Sequence, residues 1–243
     1  MKGWTRWLVA GVLALSGAAW AEDARALRLE YFRRLNRFEQ DRAGSLERVF
    51  ESGRVAARAV LEAATRQAEA PRTDGGSRPP PENTYLPGFR IGFEEAYIAE
   101  PDSRFFLELA RRRGTPLDRE FFELFHRTYL GEAPWRVYML QQTDVSGCYV
   151  FDHPELVDLY RDWTRFWATH PRAYTALVNR EVQALEDMLA RSTCACGDQA
   201  SVETGLERFL KSFPRSPVAP DVRARLERVR AGTSDLRFRC TSG

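Results

Sequence analysis

Between residues 24 and 70 apolar side chains recur at steps of mostly three and four: Leu27, Tyr31, Leu35, Phe38, Leu46, Val49, Val60 and Ala64. That spacing lays an apolar stripe along one face of a helix. Breaks near Gly44 and Gly53 leave two readings open, one long helix or a helical hairpin. Two shorter helices are predicted next. Asp102 or Ser103 can cap the first, which carries Phe105, Phe106 and Leu109 and stops at Gly114. Thr115-Pro116-Leu117-Asp118 opens the second, with a capping hydroxyl, proline at the first helical position and an acid in the first turn. Its stripe is Leu117, Phe121, Leu124, Phe125 and Tyr129.

In the last third the same periodicity predicts helices over 154–168, 171–191, 201–213 and 220–230, each bounded by proline or glycine. Alternation appears over 135–140, the one segment that reads as a strand. The stretch Tyr85–Tyr97 is aromatic and broken by Pro87, Gly88 and Gly92, and reads as a packed loop entering a short helix. The fold class predicted is all-α, a helical bundle or stacked helical hairpins.

Domain organisation follows from the interruptions. Residues 1–21 have a positive start (Lys2, Arg6), an apolar run from Trp7 to about Leu15, and Ala19-Trp20-Ala21 before Glu22. That is the pattern of a secretory signal peptide. The apolar run is short for a membrane span, which takes roughly 20 apolar residues, and no later stretch is apolar enough, so no transmembrane segment is expected after cleavage. Residues 22–70 form an N-terminal helical segment. The Pro/Gly-rich stretch 71–84 reads as a linker, and 85–243 as the main helical domain. The expected location is periplasmic or secreted.

The 243-residue chain holds 36 Lys+Arg and 34 Asp+Glu. Removing the leader takes away Lys2 and Arg6 and no acids, which leaves 34 basic against 34 acidic residues. The basic excess therefore belongs to the leader, and no nucleic-acid partner is expected. A hydrophobic fraction of 44% excludes a wholly disordered chain.

Export changes how the four cysteines are read. Cys148, Cys194, Cys196 and Cys240 are an even set, predicted to form two disulfides. A Cys194–Cys196 bridge is strained at that spacing, so Cys148 and Cys240 each take one member of the Cys194-Ala195-Cys196 pair. Of the two remaining pairings, Cys148–Cys194 with Cys196–Cys240 is favoured. His126, His153 and His170 show no ligand spacing around these cysteines, so no metal site or cofactor is expected.

Candidate catalytic groups are sparse. His153 stands between Asp152 and Glu155, and His126 lies on the helix that carries Tyr129. Asp152 and His153 suit helix capping before Pro154 better than catalysis. No nucleophile elbow, zinc-protease, phosphate-loop or dinucleotide motif is present. The polar loop 141–148, with Gln141, Gln142 and Asp144 and a cysteine at its end, is the candidate binding surface.

Over 206–229, Phe209-Leu210, Phe213-Pro214, Ser216-Pro217, Ala219 and Leu226 stand where an aromatic-proline pair ends one helix and Ser-Pro-x-Ala opens the next. This segment resembles one helix–turn–helix unit of a tetratricopeptide-type repeat of bacterial envelope proteins. The resemblance implies protein–protein binding. The chain is thus expected to be a non-enzymatic envelope module that binds a protein or a cell-wall component. The alternatives are a periplasmic hydrolase using His153 or His126 with nearby acids, and a periplasmic inhibitor or immunity protein.

Overall fold

The computed structural model describes residues 5–41, 44–69, 84–93, 97–130, 135–143 and 146–240. The predicted linker, apart from Thr84, lies outside these residues, as do the first four residues of the predicted leader. The all-α expectation holds: eight helices and two short strand pairs are found among the described residues. The chain divides into two units, 1–119 and 120–243.

In the first unit the 24–70 stripe is a hairpin, α1 (Thr5–Asp41) and α2 (Leu46–Glu69). The turn comes at Gly44, whose φ of +99° lies in the region that favours glycine. Gly53, the other expected break, sits inside α2 instead. There the rings of Phe89 and Tyr31 press so close that an added Cβ would overlap the Phe89 ring. Close packing explains this glycine.

The stretch 85–97 departs from the expected loop and helix. It forms β1 (Phe89–Phe93), which pairs antiparallel with β2 (Tyr97–Pro101) in the register Phe89↔Pro101 and Ile91↔Ala99. Strands of five residues broken by Gly92 leave too short an alternation to read from the sequence. The Tyr31 hydroxyl donates to the Pro87 carbonyl at 2.6 Å and ties the turn before β1 to α1. Asp102 caps α3 (Ser103–Arg113) by accepting from the backbone N–H groups of Arg104 and Phe105. Phe50 and Phe106 meet edge to face at 4.7 Å, and Phe89 joins them at 5.4 Å from Phe106.

The division between units falls within α4 (Pro116–Tyr129). At its start Thr115 and Asp118 cap each other: the Thr115 N–H donates to the Asp118 carboxylate at 2.8 Å, and the Asp118 N–H donates to the Thr115 hydroxyl at 3.2 Å.

The second unit continues with β3 (Met139–Gln141), β4 (Gly147–Tyr149), α5 (Leu156–Thr169), α6 (Thr175–Arg191), α7 (Gln199–Ser212) and α8 (Ala219–Arg230). Its core is aromatic. Phe121 stacks on Tyr174 at 3.7 Å, and Trp163 stands edge-on to Phe121 at 5.8 Å. The Trp163 indole N–H donates to Thr128 at 3.1 Å, so the one polar atom of this buried ring is satisfied. The helix expected from Pro171 starts only at Thr175, because Tyr174 is left-handed at φ +51°. Arg225, 1% exposed, caps the other end of α6 by donating to the carbonyls of Met188, Leu189 and Ser192.

Candidate functional site

Of the expected strand over 135–140 only Met139 and Leu140 belong to β3, which includes Gln141 as well and pairs with β4 through Leu140↔Cys148 and Gln141↔Gly147. The ends of the predicted polar loop, Gln141 and Gly147–Cys148, are therefore strand residues, and residues 144 and 145 lie outside the described residues. The Gln142 and Thr143 N–H groups donate to the Ser146 carbonyl at 2.9 and 3.1 Å. Gly147 is required here, since an added Cβ would stand 2.9 Å from both the Leu140 carbonyl oxygen and the Trp135 ring. Of the three candidate binding residues, Gln141 is exposed and Gln142 is half-buried. The Gln142 side-chain amide is committed to the Cys240 carbonyl. Asp144 lies outside the described residues. Leu140, which the sequence reading passed over, stands 55% exposed beside Gln141.

Behind this hairpin the backbone is extended by two isolated bridges, Tyr149↔Ala195 and Cys194↔Arg237. Tyr149 donates to the Cys194 carbonyl at 3.2 Å and accepts from the Cys196 N–H at 2.9 Å, and the Ala195 N–H donates to the Arg237 carbonyl at 2.9 Å. Segment 194–196 is thus the middle one of three. The disulfides are Cys148–Cys196 and Cys194–Cys240, with Cα separations of 5.1 and 5.9 Å. All four cysteines are bridged, as expected, but the favoured pairing is corrected. The register between β4 and segment 194–196 selects the partner, and spacing along the chain carries no information about that register. Two disulfides mark a chain of an oxidising compartment. Among the described residues no helix is long and apolar enough to cross a membrane.

The candidate catalytic residues stand as follows. His153 uses Nδ1 to accept the Glu155 backbone N–H at 3.2 Å, just before α5, and its own carbonyl accepts from Arg208 at 2.9 Å. Burial holds its imidazole below the ordinary value of 6.5, with the Arg208 charge adding to the shift and Glu155 and Asp152 opposing it. Asp152 is exposed, and His126 is half-buried near the end of α4. His170 pairs with Glu120 at 3.3 Å. Among the described residues no group of three or more His, Cys, Asp or Glu side chains is placed to hold a metal ion.

One polar constellation escaped the sequence reading. Glu181 on α6 has a side chain only 1% exposed. Its Oε1 accepts the Tyr129 hydroxyl at 2.9 Å and the Arg180 Nε at 3.1 Å, and its Oε2 accepts the Arg136 Nε at 2.8 Å. Burial and the Glu181 charge raise the Tyr129 phenol well above its ordinary range. The Tyr138 hydroxyl is buried and has no hydrogen-bond partner among the described residues. The available signal was an acid on an apolar stripe: Glu181 is four residues from both Leu177 and Leu185. Saturated by three donors and sealed from solvent, this carboxylate clamps α4 and the segment before β3 onto α6. On the same unit a cleft of about 470 Å³ lies between α6 and the start of α8, where Glu186, Asp187 and Asp221 face Arg191.

Comparison of the chain with family models, with curated proteins and with solved structures yields no match.

Proposed function

We propose that this chain is an exported, non-enzymatic envelope module that binds another protein through the β3–β4 hairpin. The observation that carries this reading is the exposed Leu140 side chain on an anchored hairpin. Leu140 stands 55% exposed beside the exposed Gln141, and Gln142 and Cys148 hold the hairpin to the disulfide-linked backbone behind it. An apolar side chain beside a hydrogen-bonding one, on a support that loses little freedom on association, suits a protein contact. The histidine geometry favours the same class over a hydrolase, since the Nδ1 atom of His153 is engaged by the backbone. The resemblance of 206–229 to a repeat unit used in protein binding points the same way. Cleavage after Ala21 would deliver the chain to the periplasm or the exterior.

The test is capture of a partner from envelope extract by the immobilised chain, repeated with Leu140→Asp and Gln141→Ala. The expected result is a partner lost with either variant while circular dichroism is unchanged. Retention of the same partner by both variants overturns the hairpin as the contact. Sedimentation with purified peptidoglycan in place of a protein partner would assign the cell wall instead. A hydrolytic activity abolished by His153→Ala in a folded chain overturns the non-enzymatic reading.

A further inference from the structure

The two disulfides share the Cys-Ala-Cys segment but differ in what surrounds them. Cys148 is 3% exposed, so the Cys148–Cys196 bridge has one member sealed in the interior. Attack on the Cys196 sulfur would have to expel a Cys148 thiolate into a site closed off from water, where burial disfavours the charged form. Attack on Cys148 itself is blocked by burial. The second bridge has neither obstacle, since Cys194 and Cys240 are both half-buried. Cys194 belongs to the middle segment, with Tyr149 bridged on one side and Arg237 on the other. Cys240 follows the outer segment, and the guanidinium-bearing residues Arg237 and Arg239 are both exposed.

We propose that Cys194–Cys240 is a thiol–disulfide exchange site for a protein dithiol, with Cys240 Sγ as the atom attacked. A partner thiolate forms a bond to Cys240 Sγ as the Cys240–Cys194 bond breaks. The electron pair leaves on Cys194 Sγ, which takes a proton from water. The partner's second thiolate then attacks its own sulfur in the mixed disulfide, closes the partner's disulfide and releases Cys240 as a thiolate, which is protonated in turn. The partner dithiol is oxidised by two electrons and the bridge is reduced to two thiols. Such exchange favours accessible bridges over enclosed ones.

Opening the bridge leaves segment 237–240 held by non-covalent contacts, among them the Arg239–Asp198 ion pair at 3.4 Å and a set of hydrogen bonds. The hydrogen bonds include the backbone bonds Ala195 to Arg237, Arg237 to Thr193, Arg239 to Gly197 and Cys240 to Ala195, with the Gln142 side chain on the Cys240 carbonyl. The Cys148–Cys196 bridge continues to hold β4. The exchange site stands on burial and strand order and is independent of what the hairpin binds.

The full oxidised chain is incubated under native conditions with dithiothreitol, quenched at intervals with N-ethylmaleimide and mapped by peptide mass. Cys194 and Cys240 are expected to label at least about tenfold faster than Cys148 and Cys196, with helical circular dichroism retained. A parallel incubation with reduced glutathione is expected to place the adduct on Cys240. Simultaneous opening of both bridges, earlier labelling of Cys148 and Cys196, or opening only in denaturant overturns the exchange site. A glutathione adduct on Cys194 overturns the assignment of the attacked sulfur.

Discussion

The Tyr129 hydroxyl donates to Glu181 at 2.9 Å across an interior from which both residues have all but lost contact with water. Removing one partner of a buried ion cluster leaves the others desolvated and unpaired. Glu181→Gln is therefore expected to destabilise the chain by about 3 kcal/mol, because Arg136 loses its counter-charge. The double variant Glu181→Leu/Arg136→Met should recover part of that loss. Urea denaturation of the three chains measures both. Equal stabilities would show that the cluster contributes nothing.

Burial of tyrosines sets the alkaline limit of stability. Tyr31, Tyr129 and Tyr138 all hold their protons more tightly when folded than at the ordinary value of 10, with burial as the leading cause. Below pH 10 both states are protonated and the full stability is present. Above it the unfolded chain ionises first, so stability falls as pH rises toward the folded values. Denaturation midpoints taken from about pH 8 to about pH 11 should fall steadily beyond pH 10, and Tyr129→Phe should make the fall shallower.

His153 acts at the other end of the scale. Its folded imidazole titrates below 6.5, so the neutral ring is favoured in the folded state, where Nδ1 accepts the Glu155 N–H. Its stability contribution is complete above 6.5 and is lost as pH falls from there through the folded value. A set of thermal melts across this range should show the loss in the wild type and a weaker dependence in His153→Asn. Identical profiles would remove His153 from the account of acid sensitivity.

Gly205 lies in α7 with the carbonyl of Phe151 against the place where a Cβ would stand. Alanine is normally the better helix former, yet here it must push α7 off the backbone of residues 151 and 152. Gly205→Ala is expected to lower stability by about 1–3 kcal/mol, the range for overpacked interiors, read as a drop in melting temperature. A stabilised variant would show that the contact relaxes without cost.

Helices were legible because their evidence is local. Leu206 and Phe209 of α7, and Val222, Leu226 and Val229 of α8, recur at helical spacing whatever surrounds them, and all are buried. β1 and β2 were not legible, since five-residue strands draw their stability from pairing and from packing on α2. Gly53 shows the same limit. A glycine inside a helical stripe reads as a break until the Phe89 ring beside it is known. Glu181 was legible in principle as an acid on an apolar face, but its partners Tyr129 and Arg136 lie 52 and 45 residues away.

By itself the amino-acid sequence determined the helical class, most of the faces each helix buries and the engagement of all four cysteines, because periodicity and composition act over a few residues. Only the tertiary structure decided that Cys148 joins Cys196 and Cys194 joins Cys240, that Gln142 holds the hairpin and Leu140 and Gln141 are exposed, and that Glu181 is satisfied. Those outcomes depend on backbone register and on contacts between segments far apart in the chain, where one residue of slip changes every partner.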